Sequence, residues 1–433
     1  MHTLYLYTIL ALFWATLTTT TETTHRTPLQ VTFLPPTTNN TPIIVDTFAH
    51  PDRNNLGSWH GALEDLYVTQ GGNYIELNAS DADQTYHSQL SSTTCFDLTP
   101  YTTWILHIVY SGPPTFSISM HQNNPSCNPS LSPYPETSDS VEASRYTAKP
   151  HWHHWRPKKQ KKKDLYIPLS HFTIDHSRVL SISLGNFYPP YTRPIKVHKV
   201  ELIPTLPRGV KVPKKQPTGE LRLRCTRPGS FAFGIDDGIP SLADEVREIL
   251  ESEGVLVTFF VVGAPLRDNK TGFADFYKKM VEGGHQIALH SDGHSNREME
   301  GMESTKAIDD DIFRNIATFK SLLGVESSYF RPPYGTIGSR TREVLAKRIK
   351  NPQIINWSVD IEDWMWADSD TPERQLKAFY RDVERGGNLA VLHYLSNSTV
   401  GYFREIIRFV KGKGLKIMRI DQCLEDPGAP ELL

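Results

Sequence analysis

The 433-residue chain lacks most of what would tie it to a membrane or a nucleic acid. Its apolar run at residues 4–17, LYLYTILALFWATL, stops short of the ~20 residues that a spanning helix needs. A formal net charge of −2 excludes a globally basic, nucleic-acid-binding surface. No apolar tail closes this sequence, so a C-terminal lipid-anchor signal is not expected. Cysteine is scarce: the four residues Cys95, Cys127, Cys225 and Cys423 include no C-x-x-C pair, so a cysteine-built zinc site is not expected. Their even number suits an oxidising compartment. Lys and Arg are absent ahead of the apolar run, where only the amino terminus and His2 carry positive charge.

What is present sorts into segments. Residues 1–20 have the length of a signal peptide and 21–42 are a Thr-rich, disordered stalk, which together predict a secreted protein, extracellular or in a cell wall, with no membrane span once the signal is removed. Sequons at Asn39, Asn78, Asn269, Asn356 and Asn397 agree with export as a glycoprotein. From 43 to 204 short strand-like runs alternate with turn clusters such as SGPP and PPYTRP, with no helical periodicity, which predicts a β-sandwich. Its candidate strands are 74–77, 104–110, 116–120, 165–169, 179–184 and 195–203, and Cys95 and Cys127 would staple it. The Pro- and Lys-rich stretch 205–220 is taken as a linker.

From 221 to 425 the texture changes. Strand-like runs at 230–235, 255–262, 286–289, 327–330, 353–359, 388–392 and 415–420 are separated by helical patterns. Leu242, Val246, Ile249 and Leu250 form one apolar face that ends at Gly254. Ile308, Ile312, Ile316 and Phe319 form another before Gly324, and Thr371-Pro372 is an expected N-cap. Some seven strands alternating with helices predict an α/β fold, a distorted (β/α) barrel. Cys225 precedes the first strand and Cys423 follows the last, so the closing ends of a barrel would bring them together.

The unusual polar residues fall at the C-terminal ends of these strands, the face on which α/β barrels build active sites. Asp236 and Asp237 follow the first, His290 and His294 the third, Arg331 the fourth, Asp360 the fifth and His393 the sixth. Two adjacent carboxylates repel each other unless something separates their roles. A divalent cation held by Asp237, His290 and His294 would neutralise one of them. Asp236 is then left as the general base for an attacking water, oriented by the Arg331 guanidinium. His393 is the candidate acid for a leaving group, with its pKa raised by Asp360. Asp363 can serve the geometry of the same motif or cap the following turn, Asp292 can face solvent or the metal, and Trp357 is expected to be core.

The ordered set GIDDG, HSDGH, RPPYG, DIEDW and VLH resembles the five motifs of the polysaccharide deacetylase (NodB-homology, carbohydrate esterase family 4) domain over about 221–425. The resemblance implies metal-dependent removal of acetyl groups from sugars, with zinc as the first expectation and cobalt as the alternative. It also implies that the Tyr334 backbone N–H stabilises the oxyanion, and that Trp364 and Val391 wall a pocket for the acetyl methyl. The chain departs from the family's usual spelling at Gly234-Ile235, which replace Thr-Phe, at Val391, which replaces Leu, and at Tyr394, which stands where an acid is frequent. The upstream segment 45–61 resembles the entry of a galactose-binding-like jelly roll. The run HWHHWRPKKQKKK (151–163) is read as a solvated loop, with contact to sugar or polyanion as the sharper alternative.

The expected function is a monomeric enzyme acting on an N-acetylglucosamine polymer such as chitin. An esterase for O-acetylated glycans and a non-catalytic carbohydrate-binding protein are the competing readings. Acetylated polysaccharide is the expected partner, and nucleic acid is not.

Overall fold

A computed structural model describes residues 41–91, 94–148, 162–191, 193–293 and 298–432. The signal, most of the Thr-rich stretch, the 151–161 run and His294 lie outside the described residues. Among the described residues no helix is long and apolar enough to cross a membrane.

The N-terminal part is two antiparallel sheets. One runs Tyr67–Gln70, Ile75–Asn78, Ile195–Ile203, Ile105–Ser111, Lys163–Pro168, with Ile43–Asp46 also pairing on Ile195–Ile203. The other runs His60–Leu63, Thr85–Gln89, Val179–Gly185, Ser117–Gln122, Thr137–Glu142. Their inner faces enclose one apolar cluster that includes Phe48, Ile108, Phe116, Ile182 and Val197. All six expected strands are present, and Cys95 is bonded to Cys127. Five further strands were not legible, and in Thr85–Gln89 and Thr137–Glu142 the reason is that inward positions are polar. In Thr85–Gln89 the inward-facing Ser88 donates to the buried Asp46, which also holds His60 at 2.5 Å, so a polar group stands where hydrocarbon is expected.

The C-terminal part is a parallel sheet in the order Glu220–Arg222, Gln353–Ile355, Tyr329–Phe330, Gln286–Leu289, Thr258–Val261, Ser230–Asp236, Leu389–His393, Val359–Asp360, with Lys416–Ile417 on Ser230–Asp236. Each expected strand is found. The 353–359 run is broken into two short pieces that lie near opposite ends of the pairing path, so hydrogen bonding follows an open path rather than a closed ring. Period-2 alternation sorts the central strand. Phe231, Phe233 and Ile235 point into the helix-covered cluster, and Ala232 belongs to the separate inner cluster with Phe260, Ala288 and Leu389. The same parity carries Gly234 and Asp236 to the inner face.

The helix Pro240–Glu253 buries Leu242, Val246, Ile249 and Leu250 and ends at Gly254 with φ 60°. Gly324, at φ 67°, closes the segment that follows Thr305–Thr318. Thr371-Pro372 forms a turn that precedes the helix Arg374–Glu384 instead of capping it. Cys225 and Cys423 are bonded across a sequence separation of 198 residues. The 205–220 segment is not a free tether. Thr218 is buried and, with Lys215, engages Asp139 of the sandwich.

Candidate active site

Strand register assembles the polar residues before any side-chain contact is considered. Asp236 and His393 are direct partners on adjacent parallel strands. Leu289 pairs with Phe330, which sets the following residues, His290 and Arg331, side by side. Asp236 is buried, and Arg331, fully buried, donates Nη1–H to its Oδ1 at 2.7 Å. The guanidinium also donates to the carbonyls of Gly234, Ile355 and Ala390, and it stacks 4.2 Å from the Phe260 ring centroid and 5.7 Å from that of Trp357. Trp357 is therefore packed against Arg331 and beneath the RPPYG turn, where a Cβ on Gly335 would come within 2.6 Å of its ring.

The unusual spelling of the first motif has its cause here. A Cβ on Gly234 would sit 2.4 Å from Arg331 Nη2 and 2.5 Å from Nη1. The guanidinium lies flat on the strand backbone, and glycine is what lets it do so. Three residues on, Asp237 leaves the strand at φ 50°. Gly238, at φ 149°, meets the Tyr394 ring so closely that a Cβ would overlap it at 2.0 Å. The Tyr394 hydroxyl bonds to that of Tyr277 at 2.6 Å. The departure at residue 394 thus substitutes a buried ring pair for a charge.

His290 Nε2 stands 3.9 Å from Asp237 Oδ1. Its Nδ1 is 2.7 Å from the Arg331 carbonyl, an acceptor only, so Nδ1 must be the donor. In the neutral ring this fixes the lone pair on Nε2, on the Asp237 side, which is the orientation a metal-ligating histidine requires. An imidazole and a carboxylate so disposed fit a zinc-type divalent ion. The third expected ligand, His294, lies outside the described residues. Asp292 turns away from this centre, buried and paired with Arg267 and Arg314.

His393 differs from expectation in its partner. Asp363, not Asp360, accepts from His393 Nδ1 at 2.8 Å and from the His393 backbone N–H at 2.7 Å. Burial works to lower the imidazole pKa, but Asp363, with Asp236 and Asp237 further off, overrides it and raises the value to about 10. Asp360 is pushed up to about 7, by burial first and then by Asp363 and Glu362. Its backbone N–H is held by Asp382, and its Oδ1 accepts the Glu362 N–H at 2.7 Å. Sequence reasoning gave the pairing to Asp360 and left Asp363 between motif geometry and a turn cap, because DIEDW offers three acids and only the short helix Asp363–Trp366 reveals which one turns back toward the sixth strand.

Of the residues expected to meet substrate, Trp364 is 54% exposed and Tyr334 52% exposed. Tyr334 adopts φ 60°, a left-handed conformation that a bulky residue rarely takes, in the turn Pro333–Gly335. Val391 is buried between Leu389 and His393 on the inner parity of its strand, outside the apolar clusters on either side. The Asn356 sequon is committed internally, since its Nδ2 donates to the Gly335 carbonyl at 2.8 Å.

Residues 224–348 match the family described as polysaccharide deacetylase. A chitin deacetylase of Pestalotiopsis sp is 28% identical over 49% of this chain and 70% of its own length. A chitin deacetylase of Arthroderma benhamiae is 26% identical over 50% of this chain and 58% of its own length. A peptidoglycan-N-acetylglucosamine deacetylase of Listeria monocytogenes is 28% identical over 50% of this chain, which spans only 42% of that protein. The solved chitin deacetylase of Colletotrichum lindemuthianum aligns with 49% of this chain and 94% of its own at 22% identity, with a TM-score of 0.45.

Proposed function

From the premise that the C-terminal half of this chain carries a polysaccharide deacetylase domain, we propose that the protein is a secreted, divalent-metal-dependent hydrolase that removes acetyl groups from an N-acetylglucosamine polymer, chitin first. The observation that carries this reading is the adjacency of Asp236, locked by a buried Arg331, and His393, locked by Asp363, on neighbouring strands. One group is aimed by a guanidinium and the other is held protonated by a carboxylate, which is the division of labour that amide hydrolysis needs.

Asp237, His290 and His294 would hold a divalent cation, zinc first and cobalt as the alternative, which would supply polarisation of the acetamide carbonyl and acidification of water. Asp236 takes the proton of the attacking water. Arg331 keeps that carboxylate aimed. The Tyr334 N–H donates to the oxygen on which negative charge develops. His393, protonated at neutral pH by its pairing with Asp363, gives its proton to the departing nitrogen. Trp364 and Val391 bound the space for the acetyl methyl. The apolar run at 4–17, the disulfides and the chitin deacetylase relatives support an extracellular or cell-wall site of action.

Asp236→Asn tests the base assignment. Acetate release from chitin oligomers should fall by at least about a hundredfold, the usual scale for losing a positioned base, in a protein that stays folded at the assay temperature. Retained activity would remove Asp236 from the reaction.

A further inference from the structure

The RPPYG turn is anchored at both ends, and one anchor belongs to the other half of the molecule. Arg331 fixes its start in the sheet. Its exit, residues 336–338, runs into the helix Ser339–Arg348, whose residues 339–345 are all buried. That helix begins at Gly338, which offers no side-chain cap, so its first N–H groups need partners from elsewhere. The Glu300 carboxylate, fully buried, accepts from Gly338 N–H at 3.0 Å and from Thr341 N–H at 2.8 Å.

The sandwich supplies the rest. Ser117 accepts the Ser339 N–H at 3.3 Å and stands 2.8 Å from its hydroxyl, which in turn donates to Glu142 at 3.2 Å. Asn186 lies so close to the Gly338 backbone that a Cβ there would come within 2.7 Å of it. Arg340 donates to the Glu300 carbonyl at 2.6 Å and lays its guanidinium 4.1 Å from the Tyr188 ring centroid, while the Tyr188 hydroxyl donates to Glu142 at 2.6 Å.

We infer that the β-sandwich is a positioning element of the active site: through Ser117, Glu142, Asn186 and Tyr188 it fixes the exit of the turn that carries Tyr334. The left-handed Tyr334 backbone is a strained conformation that persists only where its surroundings over-determine it. Loosening the sandwich anchor frees that turn to relax, and the Tyr334 N–H leaves its place. Asp237 and His290 are held by strand ends and by the Arg331 carbonyl, so metal binding is insulated from this anchor. The functional consequence rests on the deacetylase reading. The structural one does not.

The test uses the full chain. Ser117→Ala removes both hydrogen bonds to Ser339 without adding bulk. Amide exchange at residues 334–338 should quicken by about tenfold, as expected for a segment freed to open locally. With chitin oligomers, kcat should fall by about tenfold, the scale of a modest misplacement, while KM and the Zn²⁺ Kd stay within about twofold. Ser117→Thr, which restores a hydroxyl, should recover kcat. If Ser117→Ala does not fold, Tyr188→Phe removes one hydroxyl from the same network and carries the same expectation. Unchanged exchange in the turn overturns the inference whatever the activity. A lower Tm with unchanged kcat overturns it too, leaving the sandwich as a merely stabilising partner. A wild-type protein that neither binds Zn²⁺ nor releases acetate overturns the deacetylase reading instead, and the exchange result still decides the brace.

Discussion

Gly234 is the position where a single methyl group should do the most damage. In Gly234→Ala the new Cβ would lie 2.4 and 2.5 Å from the two terminal nitrogens of Arg331. Ordinary contact needs roughly 1 Å more. A guanidinium at the end of a flexible side chain often yields cheaply, but this one cannot. It is fully buried, stacked on Phe260, and bonded to the Gly234, Ile355 and Ala390 carbonyls and to Asp236. Overpacking of this kind costs about 1–3 kcal/mol. Separating a buried ion pair costs about 3–5 kcal/mol when the break is complete. Partial displacement should therefore cost about 2–4 kcal/mol, which for a domain of this size lowers Tm by roughly 5–15 °C. Acetate release should drop by at least about tenfold as Asp236 loses its orientation. Differential scanning calorimetry and an acetate assay on the same preparation read both. Gly401→Ala is the control: it sits inside the helix Asn397–Gly412 with no atom within 4 Å of the added Cβ, so it should be neutral or slightly stabilising. If Gly234→Ala matches the wild type in Tm and in activity, Arg331 is not pinned against the strand and the account of the first motif fails.

Asp363→Asn removes the anion that raises the His393 pKa, so the alkaline limb of the pH–rate profile should move to lower pH by at least about one unit; an unmoved limb would dissociate His393 from the acid step. The same pairing raises the folded-state pKa from 6.5 to about 10, so the stability it contributes is fully present below about pH 6.5 and fades as pH rises toward 10. In wild type, but not in Asp363→Asn, denaturant stability should decline across that window. Cys225→Ser/Cys423→Ser opens a loop of 198 residues and should cost about 5 kcal/mol on the chain-entropy estimate, read as a lower urea midpoint under non-reducing conditions.

The parallel sheet was legible because its strands are apolar runs and its functional residues sit at or just past their C-terminal ends, where GIDDG, RPPYG and VLH are visible as punctuation. Five ordered motifs carried more than any one of them. What escaped reading depended on contacts between distant segments. The strand Thr137–Glu142 looks like a polar loop because it is the edge of its sheet and meets the helix Ser339–Arg348, with Arg342 donating to the Ser138 carbonyl at 3.0 Å and Glu142 accepting from Ser339. The choice between Asp360 and Asp363 turned on a single helical turn after the fifth strand. Gly234 read as an oddity of spelling until the Arg331 side chain was found lying on it.

Metal-dependent deacetylation is tested most directly by following acetate release from N-acetylglucosamine oligomers before chelation, after chelation and after Zn²⁺ is restored. Activity that disappears with chelator and returns with Zn²⁺, in a protein whose Asp237→Ala variant stays silent throughout, is the predicted result. Acetate release that survives chelation, or that persists in a folded Asp237→Ala protein, would contradict it.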